Sequence, residues 1–332
     1  MTNNILDVSV IICAYTEERW NDLVAAVESI QQQSTPPREI IVVIDHNPYL
    51  FKRVRTDIVG IISIENSNLQ GLSGARNSGL SIAKGARIAF LDDDAAAEPD
   101  WLVQLYHCCE DPQVLGAGGT VEPQWLSERP IWFPEEFYWV VGCTYQSLPD
   151  APIVVRNPFG GCACYQREMF EAVGGFRDGI GRAGTRPMGG EETEICIRAL
   201  QHWPQRVFLY HPQARIHHRI SARRANWRYF QSRCYAEGLS KALVTRYVGV
   251  RDSLASERTY TFQTLPSGVL RNLKNSIVHR NLAGVQRAGA IVAGLFITTM
   301  GYLVGTFSQR VVLRKDVYSN KLDNSEHVLS HS

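Results

Sequence analysis

Arg87-Ile88-Ala89-Phe90-Leu91-Asp92-Asp93-Asp94, followed by Glu98-Pro99-Asp100-Trp101-Leu102, is the stretch on which the reading of this chain turns. Residues 88–91 form a short apolar run of the kind that makes a buried strand. The run ends in three consecutive carboxylates. Adjacent like charges repel and are costly to bury unpaired, so packing explains the cluster poorly. A divalent cation would supply the missing positive charge, and oxygen ligands suit Mg²⁺ or Mn²⁺. In open α/β sheets, ligands sit beyond the carboxyl ends of the strands. A solvated acidic turn capping a helix from Pro99 accounts for the same residues, and this stretch alone weighs the two equally.

Upstream, residues 8–15 are nearly all apolar, as in a parallel strand covered on both faces. Residues 16–33 carry Leu23, Val27 and Ile30 at helical spacing and stop at Pro36-Pro37. Residues 39–45 read as a second buried strand ending in Asp45. The β-α-β alternation predicts a right-handed crossover and a doubly wound, mostly parallel sheet. A third apolar run, 58–64, leads into a glycine-containing loop, 66–79. There Gly71 and Gly74 permit close backbone approach, and Arg76 is expected at a helix start, where phosphate is well held. A surface ion pair for Arg76 is the plainer alternative. No phosphate-loop or dinucleotide-binding glycine motif occurs.

Downstream, a helix is expected over 99–110 and a strand over 114–121. The aromatic, proline-broken segment 122–150 serves either as loop packing or as a wall for a planar or sugar-like ligand. Cys162 and Cys164 fall on one side of a strand and read as core. The glycine-rich segment 179–190 suits a lid. It delivers Glu191 and Glu192 to a helix start, where the dipole both favours acidic capping and keeps a glutamate ionised as a base. His217 and His218 follow strand 207–211 as candidate metal or phosphate contacts.

Beyond residue 221, arginines alternate with aromatics on an expected helix. Residues 288–307 hold no charge, about the length that crosses the ~30 Å core of a bilayer. Glycines and threonines weaken a spanning reading, so a membrane-associated or in-plane helix is expected, against a buried soluble one. The polar tail, 316–332, is expected to be flexible. A net charge of +1 gives no field for nucleic acid. Eight cysteines without a CxxC pair, and a short polar start, point to reduced thiols in the cytoplasm.

In order along residues 5–220, these motifs resemble the family 2 glycosyltransferases, whose fold is GT-A: a Rossmann-like α/β sheet flanked by helices. The resemblance places Ala14, Tyr15 and Glu17 at the strand-one nucleotide contact, although Thr16 replaces the usual proline. It places Asp45 at the base and ribose. Asn68 and Arg76 fall in the Asn-x-Gly…Ala-Arg-Asn-x-Gly segment. Asp92-Asp93-Asp94 matches the DxD motif, with Asp92 near ribose and metal and Asp94 on the metal; His218 is a further ligand candidate. Gly160 and Gly161 resemble the acceptor-side strand. Glu191-Glu192 stands where the family has Glu-Asp, leaving open which glutamate is the base.

The resemblance implies an inverting, Mn²⁺- or Mg²⁺-dependent transfer of one sugar from a nucleoside-diphosphate sugar to an acceptor hydroxyl. Gln231-Ser232-Arg233-Cys234-Tyr235 lacks the processive Gln-x-x-Arg-Trp pattern, which favours a single transfer. The acceptor stays open between lipid-linked glycan, polysaccharide and small molecule. The C-terminal region, 221–315, leans towards a substrate at the inner face of the cell membrane, in cell-envelope synthesis. Two rivals remain: a sugar nucleotidyltransferase, which lacks its basic triphosphate loop here, and a non-catalytic membrane scaffold that keeps the fold.

Overall fold

The computed structural model describes residues 5–145, 149–182, 187–253 and 257–329, with side chains to 308. Its strands are β1 (Leu6–Ala14), β2 (Pro37–Ile44), β3 (Ile62–Glu65), β4 (Arg87–Asp92), β5 (Ala95–Ala97), β6 (Val114–Trp125), β7 (Ile153–Val155), β8 (Cys162–Gln166) and β9 (Val207–Ile220). They form one sheet in the order β3-β2-β1-β4-β8-β6-β9-β5, with β7 also on β9. The β3-β2-β1-β4 half is parallel, β8 runs antiparallel between β4 and β6, and β6 and β9 pair in parallel.

The half made of β-α-β units follows the expected crossover logic. Helices α1 (Trp20–Gln31), α2 (Pro48–Asp57) and α3 (Leu72–Ile82) connect its strands. Residues 58–61, expected as strand, belong instead to the exit of α2. The apolar runs of β1, β2 and β4 place Val8, Val10, Ile12, Val42, Ile44 and Leu91 in one core layer, and Ile11, Ile41, Val43, Ile88 and Phe90 in the other. Side chains on both faces of these strands are therefore buried, as near-continuous apolar runs require.

Helices α4 (Trp101–Cys108), α5 (Arg167–Val173) and α6 (Glu191–His202) complete the layers. The strand expected over 207–211 runs on to residue 220 as one long strand, β9, which carries His217 and His218.

The C-terminal region is helical: α7 (Trp227–Val248), two short turns α8 (Val250–Ser253) and α9 (Glu257–Thr259), then α10 (Leu265–His279) and α11 (Ala283–Leu329). The backbone of α11 stays helical into the polar sequence after Asp316, which gave no sign of it. Besides Gly284 against α10, three glycines of α11 mark where it meets α7 and the aromatic segment. A Cβ on Gly301 would lie 2.2 Å from the Tyr235 carbonyl oxygen of α7, one on Gly305 2.8 Å from Ala242, and one on Gly294 2.4 Å from the Phe137 ring. Small residues let helix backbones approach this closely. The opposite face carries exposed Val285, Val292, Phe296, Met300 and Leu303. Residues 283–308 are long and apolar enough to cross a membrane by length and composition, and 28% of their apolar 18-residue window is buried.

Candidate active site

The carboxyl ends of β1, β2 and β4 open into one cavity of about 790 Å³. Ala14, Tyr15, Asp45, Arg76, Asp92, Asp93, Asp94, Gly160, Gly161, Glu191 and Glu192 all line it. Glu17, Asn68 and His218 do not; His218 is buried behind Asp94. Glu17 is exposed in the turn before α1, and Asn68 is engaged inside its own loop, donating to Ser78 Oγ at 2.8 Å. Asp45 shapes that loop too: its two oxygens accept from Asn66 Nδ2 at 2.6 Å and from the Gly71 N–H at 2.9 Å.

The aspartate cluster is turned by β5, whose pairing with β9 brings His218 opposite Ala95. Asp94 Oδ1 meets His218 Nε2 at 2.8 Å, and Asp94 Oδ2 meets Arg224 Nη2 at 3.0 Å and Arg19 Nη1 at 3.1 Å. Burial disfavours the Asp94 charge, but His218 and Arg224 outweigh it and hold the carboxyl well below its usual range. Burial likewise opposes the His218 charge, and Asp94 overrides it, raising the imidazole to about 10. Asp93 is pushed up to about 7 by burial, against the pull of Arg19 at 2.8 Å. The cationic deficit expected from three aspartates is thus met in part by protein groups, which local sequence did not reveal.

The same groups fit a divalent cation. Asp92, Asp94 and His218 offer ligand atoms that all lie within 4.8 Å of one another, and the buried Asp93 Oδ2 has no hydrogen-bond partner among the described residues. To ligate, His218 must shed the proton that Asp94 stabilises. Alternation along β9 sends His217 the other way, to Glu98 at 3.2 Å and Glu122 at 3.6 Å, away from the aspartate cluster.

Arg76 lies one turn inside α3, buried rather than on the surface, between the rings of Phe90 and Phe176. Its guanidinium reaches Glu191 Oε1 at 3.3 Å and Asp92 Oδ1 at 3.7 Å, joining the two acidic groups. Glu191 is 5% exposed, and its Oε2 has no hydrogen-bond partner among the described residues. Glu192 differs. Burial first, then the neighbouring Glu191, raises it to about 8, so the helix dipole expected to keep it ionised is outweighed.

The same cavity is also lined by Arg182, Arg233, Glu237 and Lys241, and it has a mainly apolar part beside α11. Phe137, Trp139, Tyr260, Leu295, Thr298 and Tyr302 line that part. The aromatic segment therefore does both jobs: Trp132, Phe133 and Phe137 pack on Phe230, while Phe137 and Trp139 also face the cavity. Of the expected lid, residues 183–186 lie outside the described residues. Its start is pinned to α3, with Ser73 Oγ donating to the Ile180 carbonyl at 2.7 Å and Leu72 N to Arg182 O at 2.9 Å.

A mixed sheet whose strand ends gather a DxD cluster, with two glutamates opening a helix across the cavity, defines a GT-A glycosyltransferase site. The family model for glycosyl transferase family 2 matches residues 9–174. A glucosyl-dolichyl phosphate glucuronosyltransferase of Haloferax volcanii is 33% identical over 92% of this chain and 98% of its own length. The succinoglycan biosynthesis protein ExoM of Rhizobium meliloti is 24% identical over 72% of this chain and 75% of its own. Among solved structures, the mannosyltransferase PcManGT of Pyrobaculum calidifontis, in complex with GDP-Man and Mn²⁺, superposes with a TM-score of 0.55. It covers 92% of this chain and 87% of that one at 17% identity, a likeness of fold. The chain belongs to glycosyl transferase family 2.

Proposed function

We propose that this chain is an inverting glycosyltransferase that moves one sugar from a nucleoside-diphosphate sugar to a hydroxyl of a lipid-linked acceptor, at the inner face of the cell membrane. The observation that carries the acceptor class is the cavity itself. One continuous space joins the carboxylates of the sheet to Leu295, Thr298 and Tyr302 of α11, the helix whose far face is exposed and apolar. A hydrophobic chain lies along the apolar end while its sugar reaches the glutamates. The name of the Haloferax volcanii relative supports a glucuronate donor and a polyprenyl-phosphate-linked sugar as acceptor.

The donor nucleotide lies against Ala14, Tyr15 and Asp45. Asp92, Asp94 and His218 would hold Mn²⁺ or Mg²⁺, and an imidazole in the set favours the first-row metal. When bound, that ion supplies Lewis-acid neutralisation of charge on the leaving diphosphate. Glu192 takes the proton of the acceptor hydroxyl. The freed oxygen forms a bond to the anomeric carbon as the bond from that carbon to the β-phosphate oxygen breaks, and its electron pair leaves with the nucleoside diphosphate. Glu191, tied to Arg76, orients that arginine rather than taking the proton. A base raised to about 8 is well matched to an alcohol proton.

The test is transfer from UDP-, GDP- and dTDP-sugars, glucuronate included, to glucosyl phytanyl phosphate or to a water-soluble oligosaccharide, with Mn²⁺, Mg²⁺ or chelator. Metal-dependent transfer of one sugar to the lipid acceptor supports the reading. Transfer to the soluble glycan alone would reject the acceptor class, and no binding of any donor would reject the enzyme.

A further inference from the structure

Between the aspartate cluster and the apolar end of the cavity stand two arginines that nothing so far has used. Arg233, on α7, is 6% exposed. Its Nη1 donates to the Pro187 carbonyl, and its Nη2 has a carboxylate, Glu237, only at 3.8 Å. Its Nε is buried with no hydrogen-bond partner among the described residues. Arg182 lines the same cavity; no hydrogen bond or ion pair of its guanidinium is found among the described residues, and Tyr229, Asp92 and Asp94 support its charge from a distance. The two repel each other: burial first, then Arg182, lowers the Arg233 pKa. Lys241 and Arg156, farther along, differ in being paired with Glu257 at 2.7 and 3.3 Å. Glu237 is closer to Lys241, at 3.3 Å, than to Arg233. Among the described residues the two guanidiniums keep hydrogen-bond donors unmet, the setting that an oxyanion completes.

We propose that Arg182 and Arg233 form an anion subsite for the phosphate that joins the acceptor's lipid to its sugar. This rests on the lipid-linked reading of the acceptor. Three features favour that phosphate over the diphosphate of the donor. Arg233 sits on the helix that packs backbone to backbone on α11. Its neighbours on the same face, Glu237 and Lys241, line the cavity towards Thr298 and Tyr302. The donor's phosphates would be met by a cation held at Asp92, Asp94 and His218. An acceptor laid from the apolar end to Glu192 presents lipid, phosphate and sugar in that order, and the arginines stand at the middle position.

The test titrates the full chain, with MnCl₂ in detergent micelles, with farnesyl phosphate, with farnesol, and with UDP and GDP. Wild type, Arg233→Gln, Arg233→Lys and Arg182→Gln are compared, each checked by thermal unfolding. Wild type should hold farnesyl phosphate at least about tenfold more tightly than farnesol, a difference near 1.4 kcal/mol. Each glutamine variant should lose that margin, with Arg233→Lys in between and nucleotide affinity unchanged. Equal binding of farnesyl phosphate and farnesol by wild type overturns the subsite. So does a loss on nucleotide as large as that on farnesyl phosphate, which gives the arginines to the donor. Arg182 is half-buried at the wall, so its variant reports even where Arg233→Gln does not fold. A chain that holds farnesyl phosphate through these arginines but glycosylates no lipid phosphate keeps the subsite and loses the acceptor reading.

Discussion

Gly161 lies directly beneath Asp92: a Cβ on the glycine would stand 2.2 Å from the carboxylate, closer than any real contact. The pairing of β8 with β4 fixes this approach, with Leu91 opposite Cys162. Gly161→Ala must therefore push the Asp92 side chain away from His218 and Asp94. The expected result is a loss of Mn²⁺-dependent donor affinity of about tenfold or more, with a folding cost of about 1–3 kcal/mol. Donor titration with and without metal checks it; a metal-independent loss would show that Gly161 matters only for packing.

The two glutamates separate by what they touch. Glu192→Gln is expected to lower kcat by about 10²–10⁴-fold and leave donor affinity intact. Glu191→Gln, which loosens Arg76, is expected to weaken donor binding and cost less in kcat. Steady-state kinetics on both variants decides; the reverse pattern would move the base to Glu191.

Protonation gives an independent check on Glu192. Its carboxyl sits at about 8 in the folded chain, above the ~4.3 of an unfolded glutamate. The base form accumulates only as pH rises through about 8, so kcat should climb across that range. Stability runs the other way, because the folded chain binds the extra proton: the contribution is present at low pH and is lost as pH rises from about 4.3 to about 8. Denaturant unfolding at pH 5 and pH 8 should show this loss in wild type and less of it in Glu192→Gln. Equal losses would mean that another group titrates.

The glycines of α11 are not equivalent. Gly301 faces the α7 backbone, whereas Gly289 has nothing within 4 Å of its missing Cβ. Gly289→Ala is expected to stabilise α11 by up to about 1 kcal/mol through helix propensity. Gly301→Ala should destabilise by about 1–3 kcal/mol or more through overpacking. Unfolding midpoints compare them directly, and equal effects would refute the packing of α11 on α7.

The exposed face of α11 yields a binding prediction. Val292→Asp combined with Phe296→Asp should reduce co-flotation with anionic vesicles several-fold while leaving the unfolding midpoint unchanged, since both side chains are exposed. Unaltered flotation would remove α11 from the membrane contact.

What was legible in the sequence was what local pattern dictates. Continuous apolar runs gave β1, β2 and β4, and the acidic termination of β4 marked the site. What was missed depends on distant partners. β5 is three alanines with little strand preference of their own, held by β9 across the chain. α2 is a mostly polar helix with only Leu50 and Val54 buried, too weak a stripe to separate from loop. Arg19, Arg224 and Arg233 are arginines among many, and only the fold shows which carboxylates they meet. Asn66 rather than Asn68 holds Asp45, a choice two positions apart in one loop. Only alternation along β9, once its register is known, separates His218 from His217.

Because α11 and α7 touch through bare main chain at Gly301 and Gly238, no flexible side chain cushions the joint. Whatever supports α11 also sets the elevation of Arg233 and of the glutamates beyond it, as a jig sets a drill. Such a molecule is a fixed-depth tool, suited to a substrate whose hydroxyl always stands at one height above its anchor.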